Sequence, residues 1–293
     1  MASRFLYVRS NTGKIYWSDI LSGAAIDPLS FATAEAMPDP LVAVLLIGDV
    51  LWLFGQASVE FWANTGDPDA PFAPIQGRVY ARGCIYTDTA RLADNTGVWV
   101  GEDRVVYRGG ATPERISTHG IEDKIAEGPL KAWVMPLDGH LFYILIGSTF
   151  AGAYDFSTQQ WCELSSYGRA SFRAHCGVAV GTDIYAGDDT TGTIWAMDGS
   201  VASDDGAAMQ RVFTAGLTHA GKTFPCTDLQ VDASVGQTAD LSGQGANPVI
   251  EMRFSRDGGN TWSDWAPASL GAMGKYRNRA AWRRLGLIDA PGR

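Results

Sequence analysis

The sequence is short of cysteine, of long apolar runs, of helical periodicity and of positive charge, and each shortage removes a class of protein. Its 293 residues hold four cysteines, Cys84, Cys162, Cys176 and Cys226, widely scattered and without a CxxC pair. That spacing supports neither a metal site nor a disulfide framework, and buried thiols in a reducing cytoplasm are the default expectation. The longest apolar run, 41–47, ends at the turn-forming pair Gly48-Asp49, well short of the roughly 20 residues of a membrane-spanning helix. The start, Met1-Ala2-Ser3-Arg4, has no basic region followed by an apolar stretch, so no signal peptide is expected; a strand pattern begins almost at once, which points to a trimmed N-terminus. A net charge of −9 and a pI near 4.9 argue against a basic stripe over the whole surface for gripping phosphates.

Catalytic signatures are equally scarce. Nothing fits G-x-S-x-G, G-x-x-x-x-G-K-[ST] or a strand-bound G-x-G-x-x-G. The four histidines, His119, His140, His175 and His219, share no motif. A Ser-His-Asp triad assembles in space, so the sequence leaves that option open without nominating a nucleophile. Asp188-Asp189 and Asp204-Asp205 sit in Gly/Thr/Ser-rich turns with no ligands at EF-hand spacing, and they read as loop residues rather than a calcium site. The expectation is a protein with no enzyme activity, no cofactor and no metal.

What is abundant is glycine, with 34 residues, and tryptophan, with ten. Glycine supplies positive φ for tight turns and tryptophan favours a pleated, half-buried surface, so the pair of them predicts short strands between turns. The best helical stretch, 121–132, is cut to a turn or two by Gly128-Pro129. Elsewhere an apolar strand, a Gly- or Asp-containing turn, a second apolar strand and a third carrying an aromatic recur. Strands 5–9 and 14–18 flank a loop ending in Gly13, and 42–47 and 50–54 flank Gly48-Asp49 before 58–63. Strands 97–101 and 104–108 flank Glu102-Asp103, strand 141–146 leads to 152–155 and 161–164, and 176–180 and 183–186 flank Gly181-Thr182 before 193–197. The third-strand aromatics are Trp62, Tyr107, Tyr154 and Trp195. A period of roughly 40–50 residues is that of propeller blades, with a β-sandwich as the alternative.

The predicted fold is therefore all-β: a β-propeller over 1–210, incomplete or trimmed at its ends, and a C-terminal β module or last blade over 211–293. Within the latter, 211–218 and 227–233 read as strands, 236–248 as a polar loop, 249–255 with 262–266 as a hairpin, and 280–287 as a final strand.

The sharpest local motif, Ser255-Arg256-Asp257-Gly258-Gly259-Asn260-Thr261-Trp262, matches the Asp-box S-x-D-x-G-x-x-W. Asp257 can fold back onto turn amides, Gly259 accepts positive φ and Trp262 packs under the hairpin, so Ser255, Asp257, Gly259 and Trp262 form a structural turn. In sialidases and related propellers this box lies away from the catalytic face. One box without an arginine cluster or a Tyr/Glu pair excludes a sialidase. A glycan-binding or glycan-cleaving propeller remains the alternative function, with Trp99, Trp133 and Trp265 as exposed stacking surfaces. Lys275, Arg277, Arg279, Arg283 and Arg284 lie within ten residues. They are either the solvated face of a strand or a patch for an acidic partner.

Several stretches, in order along most of the chain, resemble the packaged-DNA stabilisation proteins of P22-like short-tailed phages, also called tail accessory factors or tail hubs. They are Ile15-Tyr16-Trp17-Ser18-Asp19 with Asp27-Pro28-Leu29-Ser30-Phe31-Ala32-Thr33-Ala34-Glu35 and Pro38-Asp39, then Leu51-Trp52-Leu53-Phe54-Gly55 through Val59-Glu60-Phe61-Trp62 to Asn64-Thr65-Gly66. Arg115-Ile116-Ser117-Thr118 with Ile121-Glu122 and Tyr154-Asp155 with Gln160-Trp161 follow, and then 253–257 and Trp282-Arg283-Arg284-Leu285-Gly286. The resemblance implies further β structure before the part matching residue 4 and after Gly286. It also implies a structural protein of the virion, assembled in the bacterial host cytoplasm. Such a protein forms a homo-oligomeric ring under the portal and its adaptor, retains the packaged DNA and carries the tail needle and tailspikes. Neither a membrane nor a specific nucleic-acid sequence is an expected partner, and the family supplies no catalytic residues.

Overall fold

The computed structural model describes residues 3–125, 128–169, 171–201, 203–217, 219–238 and 241–288. The chain divides into two compact units, Met1–Gln210 and Arg211–Arg293.

The first unit is a succession of antiparallel meanders in which spatial order follows chain order. The first sheet holds β1 (Leu6–Val8), β2 (Lys14–Trp17) and β3 (Phe31–Thr33), and the second holds β4 (Leu41–Ile47), β5 (Val50–Gly55), β6 (Val59–Asn64) and β7 (Phe72–Tyr80). The third is built from β8 (Arg91–Ala93), β9 (Thr96–Val100), β10 (Val106–Arg108) and β11 (Glu114–Arg115), followed by the helix α1 (His119–Ile125). The fourth contains β12 (Lys131–Leu137), β13 (His140–Ile146), β14 (Ala151–Asp155) and β15 (Gln160–Glu163). The fifth contains β16 (Ala174–Val180), β17 (Asp183–Asp188) and β18 (Ile194–Met197), and a small hairpin of β19 (Ser203–Asp204) and β20 (Ala207–Ala208) ends the unit.

Two-residue turns set the registers. Leu137 pairs with His140 across Asp138-Gly139, whose φ values of 51° and 81° are both left-handed, and Val180 pairs with Asp183 across Gly181 at φ 65°. Turns of that hand match the twist of the strands that they join.

Strand alternation places consecutive side chains on opposite faces, and here both faces are buried because the sheets stack. In β5, Leu51 and Leu53 pack with Ile15 and Trp17 of the first sheet, while Trp52 and Phe54 pack with Trp99 and Tyr107 of the third. In β13, Tyr143 and Leu145 meet Val98, Val100 and Val106 of the third sheet, while Ile144 and Ile146 meet Ile184 and Ala186 of the fifth. Indoles fill gaps that glycines leave: a Cβ on Gly109 would fall 2.3 Å from the Trp52 ring, and one on Gly177 would fall 2.3 Å from that of Trp133. Among the described residues no hydrophobic cluster joins the fifth sheet to the first, and Val178, Val180, Tyr185 and Ile194 of the fifth are exposed.

The second unit is slighter. β21 (Phe224–Val231) pairs with β24 (Ala280–Ile288), and β22 (Val249–Met252) pairs with β23 (Ala266–Ser269). The two sheets are tied where Trp282 Nε1 donates to the Ala266 carbonyl at 2.7 Å. Among the described residues its buried apolar side chains are Ala280, Trp282 and Ile288.

The short helix expected within 121–132 and cut by Gly128-Pro129 is α1, His119–Ile125. Residues 131–137, for which no strand was expected, form β12, since the whole stretch pairs with β13 and Trp133 and Met135 are buried. Two expectations are corrected. The hairpin partner of β22 is 266–269 rather than 262–266, because the Asp-box occupies the connection. Of the strand expected over 211–218, residues 211–216 form none, Leu217 makes a single β-bridge, and Thr218 lies outside the described residues.

Candidate interaction site

The Asp-box is a closed hydrogen-bonded turn. Asp257 Oδ1 accepts from the Thr261 amide (2.8 Å) and from the Ser255 hydroxyl (2.7 Å), and Oδ2 accepts from the Thr261 hydroxyl (2.6 Å). The buried Ser255 Oγ accepts from the Gly259 amide at 2.8 Å. Gly258 and Gly259 hold φ of 74° and 101°, and Trp262 Nε1 donates to the Gly259 carbonyl at 3.0 Å. The motif's polar groups thus satisfy one another. Arg253 stacks on both Trp262 and Trp265, 4.8 and 4.5 Å from their centroids, a contact that nothing in the sequence signals.

The Thr261 hydroxyl, then its amide and the Ser255 hydroxyl, hold the Asp257 carboxyl well below the usual carboxylate range. A pKa depressed in the folded state contributes stability that is present above the unfolded-chain value, about 3.9, and is lost as the pH falls through the lower folded value. Asp257→Asn is therefore expected to lower the melting temperature of the second unit at pH 7, and the gap from wild type should narrow as the pH falls below about 4. Thermal melts across pH 2–7, with tryptophan fluorescence as readout, check this; a gap independent of pH would refute it.

All five residues of the basic cluster are exposed. Lys275, Arg277 and Arg279 occupy the loop before β24. Arg283 and Arg284 lie side by side because a β-bulge interrupts the strand: Asp228 pairs with Arg283 and Cys226 with Gly286, so Arg284 and Leu285 together oppose Thr227. Arg284 takes a left-handed φ of 62°, and the bulge turns two consecutive cations outward. Among the described residues none of the five has an ion pair or a side-chain hydrogen bond. After Gln210 the chain carries ten Lys and Arg against seven Asp and Glu; before it, thirteen against twenty-five. The five are thus exposed cations on the less acidic unit, without an ion pair among the described residues.

The paired aspartates of the first unit face arginines and a histidine. Asp188 meets Arg169 at 3.0 Å, Asp204 and Asp205 meet Arg173 at 3.2 and 3.3 Å, and Asp189 meets His175 at 3.3 Å. Arg169, helped by the Thr190 and Thr191 amides, holds Asp188 well below the usual carboxylate range. Among the described residues no cluster of three or more His, Cys, Asp or Glu side chains is arranged to hold a metal ion. Of the three tryptophans expected to be exposed, Trp99 and Trp133 are buried, at 0% and 3% exposure, and only Trp265 is open to solvent. Both buried indoles donate to backbone carbonyls, Trp99 to Gly83 and Trp133 to Ala174. That correction removes most of the stacking surface on which a glycan-handling reading rests.

Among solved structures the chain is similar to the computationally designed Ika8 protein, at 12% identity over 67% of this chain and 55% of that one, with a TM-score of 0.41. It is also similar to the dihydro-heme d1 dehydrogenase NirN, at 11% over 96% and 56% with a TM-score of 0.44, and to BamB from Moraxella catarrhalis, at 15% over 80% and 66% with a TM-score of 0.36. No curated protein sequence matches. Stacked meanders followed by a small two-sheet unit define an all-β protein of propeller-plus-sandwich architecture. Both halves match one family in order, its part described as bacteriophage P22 Gp10, beta-propeller over residues 1–202 and its part described as bacteriophage P22 Gp10, beta-sandwich over 209–290, and the chain belongs to that family. It is a phage structural protein of the DNA-stabilising kind, a component of the virion among other virion proteins.

Proposed function

We propose that the chain is a tail hub: a ring-forming subunit that joins the portal and its adaptor to the tail needle and tailspikes and keeps the packaged genome in place. The observation that carries this reading is the family match over both units in chain order. An open-faced succession of sheets and a second unit with an exposed cationic patch are what a subunit held in place by neighbours would display. Negative-stain imaging of the protein mixed with its portal–adaptor complex tests the reading. Ring-shaped density added below the adaptor is expected, and a bare portal would refute it.

Within that reading the patch of Lys275, Arg277, Arg279, Arg283 and Arg284 contacts an acidic neighbour. Its charges are exposed and without an ion pair among the described residues, and charge of this kind chiefly speeds encounter and fixes orientation. The double variant Arg277→Glu/Arg279→Glu is expected to bind the portal–adaptor complex about tenfold more weakly or worse, with reduced salt dependence. Surface plasmon resonance at two ionic strengths measures this, and unchanged binding would remove the patch from the interface.

A further inference from the structure

The second, third and fourth sheets of the first unit each bury side chains on both faces, whereas the first and fifth each turn an outer face to water. In the fifth sheet Ile184 and Ala186 point at the fourth. Cross-strand partners share a face. Val178 stands opposite Tyr185 and Tyr185 opposite Ala196, while Cys176, Gly187 and Ile194 form the neighbouring row of the same face. That face is aliphatic and open: Val178 is 56% exposed, Val180 59% and Ile194 74%. A contiguous apolar surface of this kind marks a contact.

The first sheet has the same arrangement with a different chemistry. Ile15 and Trp17 point at the second sheet, and Tyr7, Tyr16 and Phe31, successive cross-strand partners, share the other face. The Tyr16 and Phe31 rings lie 5.4 Å apart, and Lys14 Nζ stands 4.2 Å from the Phe31 centroid. Phe5 and Tyr7 are exposed, as are Leu21 and Leu29 of the loop between β2 and β3.

The two ends of the stack are oppositely charged. Residues 3–18 hold Arg4, Arg9 and Lys14 and no carboxylate; Asp19 and Asp27 follow in the β2–β3 loop. Residues 174–210 hold six aspartates and neither Lys nor Arg. Four of the six face Arg169, Arg173 or His175. Asp183, opposite Val180 on the outer face, and Asp198, just past the end of β18, have no ion pair among the described residues.

We propose that the fifth sheet of one copy stacks its outer face on the first sheet of a second copy, Val178, Val180 and Ile194 against Tyr7 and the Tyr16–Phe31 pair, with Asp183 and Asp198 toward Arg9 and Lys14. The contact continues between copies the sheet-on-sheet packing that runs through each one, as where Leu51 and Leu53 meet Ile15 and Trp17. Within one copy both faces stand open at once, and joining them would repack the four buried junctions between them. A second copy gives each face its complement and leaves those junctions as they are. Opposite charge selects a fifth sheet against a first and disfavours like against like. Two different surfaces meet, so the contact is heterologous, and such contacts generate rings where the rotation closes. The inference rests on the hub reading for its setting and names the contact between the hub's subunits.

The test uses the full chain. Sedimentation velocity over a wide concentration range should show wild-type self-association, and Ile194→Asp should weaken it about 10- to 100-fold, the loss expected for one buried aliphatic side chain. Circular dichroism should be unchanged, since Ile194 is exposed within one copy. The charge reversals Asp183→Arg/Asp198→Arg and Arg9→Glu/Lys14→Glu should each weaken self-association. An equimolar mixture of the two should recover it, because each reversed face then meets a reversed partner. A wild type that stays monomeric, association indifferent to Ile194→Asp, or no recovery on mixing would each overturn the proposal. So would a monomeric wild type whose melting temperature Ile194→Asp lowers, since the face would then be covered within one copy. A monomer that still seats on the portal–adaptor complex overturns sheet stacking and leaves the hub reading standing. Association through Ile194 with the portal left bare supports sheet stacking and removes the hub reading.

Discussion

Replacing Trp99 by alanine should lower the unfolding free energy of the first unit by about 3–5 kcal/mol, the range for truncating a fully buried aromatic. Trp99 has no exposed surface and lies between two sheets, with ring centroids 5.4 Å from Phe54, 5.8 Å from Tyr107 and 6.2 Å from a stacked Tyr80. Its Nε1 donates to the Gly83 carbonyl at 2.9 Å. The carbonyl would lose its partner where the chain is tightest, since a Cβ on Gly83 would fall 2.1 Å from the Gln56 backbone. Truncation therefore opens a cavity and strands a buried acceptor at once. The half-exposed Trp265 gives the contrast: its alanine variant loses a stacked arginine, worth under about 1 kcal/mol at an exposed site. Urea titrations followed by far-UV circular dichroism would separate the two, and equal effects would refute the burial assignment.

That contrast shows what the sequence reveals and what it hides. Alternation and Gly- or Asp-containing turns are local, so the meanders around Gly48 and Gly181 are legible residue by residue. Whether an indole on a strand faces a neighbouring sheet or water is not local. Trp99 stands in Gly97-Val98-Trp99-Val100-Gly101 and Trp265 in Ser263-Asp264-Trp265-Ala266-Pro267, and it is the stacking of the second sheet on the third that buries the first of them. Residues 131–137 were not read as a strand for a related reason. Ala132, Trp133 and Met135 are buried together, which blurs the period of two, and the pairing with β13 that decides the matter lies across a turn. In the second unit the basic cluster is visible as composition, but the bulge that turns Arg283 and Arg284 outward together depends on the register against β21.

Glu60 is the clearest conflict between local pattern and packing, and it carries the second large effect. A carboxyl in Val59-Glu60-Phe61-Trp62 reads as the solvent-facing member of a strand, but Glu60 is 3% exposed. It stands opposite Leu53 and Val79. Its Oε2 accepts from the buried indole Nε1 of Trp62 at 3.1 Å, and its Oε1 accepts from the Ala36 amide at 2.8 Å. The side chain thus ties the connection between the first and second sheets to β6. In Glu60→Ala the Ala36 amide can turn to water, while the Trp62 donor stays buried without a partner, a loss of about 1–3 kcal/mol. Adding about 1 kcal/mol for the unfilled volume, the variant should unfold at lower urea with a total cost of roughly 2–4 kcal/mol. Glu60→Gln separates hydrogen bonding from shape. Its amide keeps one acceptor oxygen and turns a donor toward one of the two N–H groups, so about half of the loss should remain. Urea titration of the three proteins measures the order wild type, glutamine, alanine. A glutamine variant as stable as wild type would show that one acceptor suffices, and an alanine variant as stable as wild type would show that the carboxyl does not hold the two sheets' connection at all.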